Sequence, residues 1–427
     1  MQIKRDNYLN ALIIRKHNSL IKVITGMRRC GKSYLLNTLF YNHLIESGVK
    51  ESHIIRFAFD SADDLALIGE DLLKVVESGK KVDANKFIEY INNQIKDNEM
   101  HYLLLDEVQN LGAFEYVLNG YLRKSNVDVY VAGSNAKFLS KDVITEFAGR
   151  GDEIKILPLS FAEFMAVYEG EKAEGLQEYM TFGGLPFVVG LRSDEQKIEY
   201  LKNLFTETYI KDIKVRYRLR KNNAELGEIL NILSSSIGSL TNPTKLSNTV
   251  KTVKNVAISK GTIEKYIEYV KDSFLIDEAK QYDIKGKKYI NSPKKYYFAD
   301  LGLRNARIDF RQLEETHSME NVIFNELKVR GFNVDVGVVE IRENGVRKRL
   351  EIDFVANKGF NRYYIQSALS MPTMEKERQE QRSLTKVDDS FKKIIVTGGF
   401  TRQHYNEQGI LIINIYDFLL NPNSLSI

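Results

Sequence analysis

The chain has little of several things, and each shortage removes a class of protein. A single cysteine, Cys30, among 427 residues forbids an intrachain disulfide and fits a reducing, intracellular compartment. No apolar run approaches the roughly 18 residues that a membrane helix needs. The longest candidate, Ile410 to Leu420, is cut by Asn414 and Asp417. The first residues, MQIKRDNYLNAL, lack the charged-then-apolar order of a secretion signal. Six prolines leave few linkers, and no segment is repetitive or of low complexity. Net charge is almost absent too. Against 57 acidic residues stand 61 Lys and Arg, and the resulting +4 neither requires nor forbids a nucleic-acid partner. The 43% of hydrophobic residues is ordinary for globular protein, and about 150 residues per domain suggests two to four domains. A soluble, cytoplasmic, multidomain protein with no membrane segment is predicted.

The first third alternates short apolar runs with helical patterns. Leu20–Thr25, His53–Phe59, Tyr102–Leu105 and Val127–Ala132 read as strands; Ser33–Ser47 and residues 84–96 read as helices. This alternation predicts an α/β fold with a parallel sheet covered on both faces. Beyond Pro158 the pattern turns helical as far as residue 235, with a sharp break at Gly183-Gly184-Leu185-Pro186. Helices at helix-turn-helix-like spacing fill residues 222–280. A second αβ segment begins near Asp300, with a helix about Glu320–Arg330 and strands near Val334–Ile341, Arg349–Val355 and Arg362–Ser367.

Gly26-Met27-Arg28-Arg29-Cys30-Gly31-Lys32-Ser33 fits G-x-x-x-x-G-K-[ST] in full, after an apolar strand and before the helix that starts with Tyr34. Its glycines let backbone N–H groups wrap phosphate oxygens without Cβ clashes, and the helix N-terminus adds its dipole. Residues 26–34 are thus the predicted ATP-binding loop. Lys32 is expected on the β- and γ-phosphates and Ser33 on Mg²⁺. Cys30 reads either as a thiol activated by the helix N-terminus or, preferably, as a small loop filler.

His101-Tyr102-Leu103-Leu104-Leu105-Asp106-Glu107 is an apolar strand ending in two carboxylates. Asp106 is the expected Mg²⁺ partner and Glu107 the general base for water. Neighbouring strand residues face opposite ways, so the pair must sit where the chain leaves the sheet. Val127–Ala132 leads into Gly133-Ser134-Asn135, where Asn135, with Ser134 second, reads as a residue orienting water or sensing the γ-phosphate; a helix cap is the alternative. Arg150, in Gly149-Arg150-Gly151, reads as a charge-stabilising arginine, acting in its own subunit or a neighbour's, or as a structural ion-pair partner.

With Lys22–Ser33, Leu105-Asp106-Glu107-Val108-Gln109, Gly133-Ser134-Asn135, Gly149-Arg150-Gly151, Pro158–Phe164 and Gly183–Pro186, the chain resembles the AAA-type ATPases of bacteria and archaea. The resembling subgroup carries a C-terminal domain of unknown function. The resemblance implies a P-loop NTPase core, a winged-helix segment and a smaller αβ domain similar to PD-(D/E)XK nucleases. The expected boundaries are 1–165 for the ATPase core, 166–221 for a helical segment, 222–299 for the winged helix and 300–427 for the nuclease-like domain.

The middle segment has two basic features. Residues 209–221, YIKDIKVRYRLRK, hold six basic residues and one aspartate, and a second cluster spans 285–295. In the winged-helix reading, Ala224–Ile237, Thr244–Lys251 and Ile263–Ser273 are the helices. Ser259, Lys260, Lys265, Lys287 and Lys288 would then be DNA contacts. In the last segment Glu320, Glu326 and Asp353 are candidate metal carboxylates. The nuclease pattern implied by the resemblance wants E-x-K after its Asp, and here Gln366 and Ala368 take those places. Gln is a poor ligand for a hard cation and Ala supplies no charge, so efficient cleavage is not expected.

The leading expectation is a Mg²⁺-dependent ATP hydrolase whose nucleotide state controls the C-terminal modules, with an oligomer allowed. ATP is preferred over GTP because the guanine motif is absent from the core; Thr385-Lys386-Val387-Asp388 has its letters but lies in the last domain. The alternatives are a nucleotide-regulated DNA-binding or nuclease protein and a protein-interaction switch with a protein partner.

Overall fold

A computed structural model of the chain describes residues 3–133, 147, 149–219, 224–254, 257–311 and 314–426. It divides into two compact units, 2–157 and 158–427. The first is built on five strands: β1 (Ile21–Gly26), β2 (Ile54–Ala58), β3 (His101–Asp106), β4 (Val127–Ala132) and β5 (Gly151–Ile156). All pair in parallel, in the order β2-β3-β4-β1-β5. Every residue of β1, β3 and β4 is buried, which is why these strands read as unbroken apolar runs rather than alternating ones. Lys22 is the exception. Its ammonium pairs with Asp128 of β4, which also accepts a 2.8 Å hydrogen bond from Tyr130. Burial lowers the Lys22 pKa, with Asp128 opposing that effect.

The register sets the ends of the strands side by side. Ile24 lies opposite Ala132, Gly26 opposite Ile156, and Ala58 opposite Asp106. A helical run, 32–46, starts directly after β1 and widens to a π-type turn over Leu35–Phe40.

In the second unit the expected break at Gly183-Gly184 is a packing node. The backbone N–H of Gly184 donates to the buried Asp300 carboxylate at 2.8 Å, and Leu303 N–H donates to its other oxygen at 3.0 Å. Gly184 also accepts from Leu159 N–H at 2.8 Å. Pro158–Phe164, Gly183–Pro186 and Tyr296–Ala306 therefore fold around one carboxylate. Burial raises the Asp300 pKa to about 6, against three backbone N–H groups that favour its charge. Ser160 and Glu163 form a reciprocal capping box on the helix Phe161–Met165.

After further helices between Lys172 and Arg216 come Ala224–Ser235, Pro243–Lys254 and Lys260–Asp272, with Ser259 capping the last, the third of this set. A hairpin of β6 (Ile276–Asp283) and β7 (Lys288–Phe298) comes next. The remaining strands are β8 (Asn333–Glu343), β9 (Val346–Lys358), β10 (Asn361–Ala368), β11 (Lys392–Thr397), β12 (His404–Tyr405) and β13 (Leu411–Asn414). Together they form one mixed sheet, β12-β13-β11-β10-β9-β8-β6-β7. The first compact unit ends at Leu157, and the sheet of the second runs continuously across residues 299 and 300, because β6 pairs in parallel with β8. Hydrogen bonding across that seam has no local sequence signature.

The node predicts a contrast between two glycines. A Cβ on Gly302 would stand 2.0 Å from the carbonyl oxygen of Phe182, whereas one on Gly261 would meet nothing within 4 Å. Gly302→Ala should cost about 1–3 kcal/mol or more in urea unfolding. Gly261→Ala, inside the third helix, should be neutral or gain about 0.5–1 kcal/mol.

Candidate functional site

At the carboxyl end of β1 the chain makes an unusually close approach. Gly26 has φ +145°, and a Cβ there would lie 2.3 Å from the carbonyl oxygen of Ile156. Gly31, at φ +100°, then turns the loop into the helix that begins at Lys32. Both glycines are thus required by geometry. Lys32 is buried and its ammonium donates to the carbonyls of Gly26 (3.0 Å) and Met27 (2.8 Å). Arg28 and Arg29 are exposed, Met27 and Cys30 buried, and Tyr34 half-buried. The Cys30 thiol faces the carbonyl of Ile156 at 3.7 Å, and its own carbonyl accepts from Arg5 at 3.1 Å. A filler role fits this enclosure.

Burial raises the Asp106 pKa, with the Ser33 hydroxyl acting in the opposite direction. Glu107 leaves β3 in a left-handed conformation, φ +48°, ψ +40°. That turn breaks strand alternation, so both carboxylates serve the same end of the sheet. Gln109 donates its amide N–H to Glu107.

Three participants escaped the sequence reading. Asp60, just past β2, has its pKa raised by partial burial and then by Glu107, with Arg28 pulling the other way. Asn37 reaches Asp106 at 3.5 Å, and Gln109 holds Glu107. Asp60 did carry a signal: like Asp106, it closes an apolar strand. Asn37 and Gln109 did not, being single polar residues brought in by the helix and the turn.

Arg150 is placed elsewhere. Its carbonyl accepts from Ile21 N–H at 2.8 Å, and its guanidinium is 3.4 Å from the Asn119 side-chain oxygen. Ile21 opens β1 and Gly26 closes it, so at ~3.3 Å per residue Arg150 lies ~17 Å along the sheet from the loop. An arginine side chain does not span that distance, so Arg150 is not beside the glycine loop of its own chain. Asn135 and Ser134 lie outside the described residues.

An AAA domain family matches residues 18–165, and a domain of unknown function, DUF8612, matches 173–314. An uncharacterized protein of Haemophilus influenzae is 34% identical over 424 residues, covering 98% of both chains. The chain carries an AAA domain and belongs to one family with the Haemophilus protein. A second uncharacterized protein, from Methanocaldococcus jannaschii, is 28% identical over 93% of this chain and 85% of its own. In fold, the chain is similar to a Walker-type ATPase of Pyrococcus abyssi, with TM-score 0.50, 16% identity, and coverage of 72% of this chain and 96% of the other. Among the described residues no helix is long and apolar enough to cross a membrane.

The second unit of the chain gathers carboxylates of its own. Lys295 on β7 reaches Glu320 at 2.8 Å, Glu351 at 2.7 Å and Asp353 at 3.5 Å. Tyr297, two residues on and so on the same strand face, donates to Glu320 at 2.6 Å. Burial opposes the Lys295 charge, yet the carboxylates outweigh it and hold its pKa above the usual lysine value. Asp353 is shifted upward by burial and by Glu320. Gln366 accepts from Asp353 N–H at 3.4 Å, and Ala368 packs in the apolar core.

Two expectations are corrected here. Lys295, counted with a basic surface cluster, is buried. Glu326 does not join Glu320 and Asp353; it pairs with Arg330 at 2.7 Å. Six residues along a helix rotate a side chain by about 240°, which separates Glu326 from Glu320. The 209–221 run is also partly packed, since Tyr217 stacks on Tyr269 at 3.5 Å and donates to Asp272.

Removing the ammonium should expose the cost of this cluster. Lys295→Met leaves buried carboxylates without compensation and should lower stability by about 3–5 kcal/mol in urea unfolding. Adding Glu320→Gln should restore part of the loss.

Proposed function

We propose that the chain is a Mg²⁺-dependent ATP hydrolase whose nucleotide state governs the modules of its second unit. The observation that carries this reading is the glycine loop, with Gly26 and Gly31 at positive φ and Lys32 buried in it, at the same end of the parallel sheet as Asp106 and Glu107. The donor set suits magnesium: a hydroxyl and a carboxylate are hard oxygen ligands, and burial penalises Asp106 while its charge is uncompensated. When bound, Mg²⁺ would neutralise charge on the β- and γ-phosphates. Backbone N–H groups of residues 26–33 and the Lys32 ammonium hold the phosphates. Glu107, steadied by Gln109, takes the proton of the attacking water. Asn135 remains the proposed water-orienting residue. Arg150, at the far edge of its own sheet, acts on a neighbouring subunit if it acts in catalysis at all.

The nuclease-like reading of the C-terminal sheet predicts docking rather than cleavage. Lys295 already pairs with Glu320, Glu351 and Asp353, and the positions of the metal-binding Glu and the Lys are Gln366 and Ala368. A second reading, nucleotide-regulated DNA binding by a winged helix, is favoured by one observation: Ser259, Lys260, Lys265, Lys287 and Lys288 are all exposed along the third helix and the hairpin tip. A protein-interaction switch is the third.

Lys32→Ala should abolish ATP turnover in a phosphate-release assay, and unchanged turnover would sink the assignment. Glu107→Gln should retain radiolabelled ATP while turnover falls by at least about a hundredfold. Arg150→Ala should lose activity alone and regain part of it when mixed with the Lys32→Ala chain, provided the arginine acts between subunits. Lys287→Ala with Lys288→Ala should flatten the salt dependence of DNA affinity if the second reading holds.

A further inference from the structure

At the edge of the parallel sheet opposite the glycine loop, two imidazoles meet. His53 immediately precedes β2 and His101 opens β3; the register that puts Ile54 beside Tyr102 makes them lateral neighbours. Their ring centroids are 4.6 Å apart, and both residues are buried. Asp97, in the turn that leads into β3, faces both. Its Oδ2 is 3.0 Å from His53 Nε2, and its Oδ1 is 4.0 Å from His101 Nε2. One ligand atom from each of the three residues lies within 4.8 Å of the other two.

The other nitrogen of each ring is already engaged with an acceptor. His101 Nδ1 is 2.8 Å from the carbonyl oxygen of Glu99, which can only accept, so that nitrogen carries the proton. His53 Nδ1 faces the Glu99 carboxylate at 3.5 Å, and Lys50 holds that carboxylate in place at 3.0 Å. With no ion bound, His53 Nε2 donates to Asp97 Oδ2 at 3.0 Å. With the His53 proton moved to Nδ1, toward Glu99, both Nε2 lone pairs and the Asp97 carboxylate surround one small space and form a ligand set for a cation. An Nδ1–H held by a carbonyl or carboxylate is the usual support of a metal-binding histidine.

We propose that His53 Nε2, His101 Nε2 and the Asp97 carboxylate bind one zinc-class divalent metal ion, with Glu99 and Lys50 as the outer support. Two imidazoles and one carboxylate suit Zn²⁺ or Co²⁺ rather than Mg²⁺ or Ca²⁺, which prefer oxygen alone. Three protein ligands leave a fourth position to water, and Asp97, about half exposed, provides the entry side. The site ties the openings of β2 and β3 together and is separate from the phosphate loop, so it stands or falls independently of the proposed hydrolase.

The test uses the full chain, stripped with chelator and titrated with Co²⁺ in excess Mg²⁺ and without nucleotide. Visible absorption bands of low-symmetry Co²⁺ should saturate at one ion per chain, and Zn²⁺ should displace them. Asp97→Asn, a substitution at a half-exposed turn, should weaken binding at least about tenfold, and His53→Ala should abolish it. Lys32→Ala should bind Co²⁺ as the unaltered chain does. No Co²⁺ bands in the unaltered chain would overturn the proposal, as would equal affinity in folded Asp97→Asn and His53→Ala proteins.

Discussion

Burial of β1, β3 and β4 on both faces is the constraint on which the first unit depends. A strand covered above and below can carry charge only at its two ends, unless a partner is supplied inside. The one internal charge on β1, Lys22, has that partner in Asp128, with Tyr130 completing the pair. The other charged residues of β1, β3 and β4 stand at strand ends. At the carboxyl edge lie Lys32, Ser33, Asp60, Asp106 and Glu107; at the opposite edge lie His53, His101 and Arg150. Parallel pairing makes the two edges chemically different, because all strands end on the same side. Chemistry that needs phosphate, cation and base together can assemble only where they end.

The second unit treats buried charge in another way. Asp300 is enclosed and satisfied by backbone N–H groups from Gly184, Gly302 and Leu303. Glu320, Glu351 and Asp353 are instead satisfied by the Lys295 ammonium. In the first case, glycines are needed because the backbone itself is the ligand, and a Cβ on Gly183 would stand 2.3 Å from the Asp300 oxygen. In the second, a long side chain crosses from β7 to the carboxylates on β9 and on the helix Glu315–Val329. A carboxylate cluster already holding a cation is poorly placed to recruit another, which links the energetics of this sheet to its proposed docking role.

Much of the catalytic site was legible because its parts are local. A glycine loop between strand and helix, and a strand ending in Asp-Glu, are written in consecutive residues whose spacing reflects the geometry they adopt. Asp60 was nearly legible by the same rule. Asn37 and Gln109 were not, because their roles come from what the fold lays beside them. Arg150 was legible as an arginine between two glycines, but not its place: its register with Ile21 puts it at the far end of β1 from the glycine loop.

By itself, the sequence determined the glycine loop, the acidic strand end and the parallel α/β order, since short-range periodicity and fixed spacings encode all of these. Only the tertiary structure decided that β6 and β7 complete the C-terminal sheet, that Lys295 is a buried counter-ion rather than a surface charge, and that His53, Asp97 and His101 converge. Each of these depends on strands distant in sequence lying about 5 Å apart in space. Strand order and register set those neighbours, and no local pattern records them.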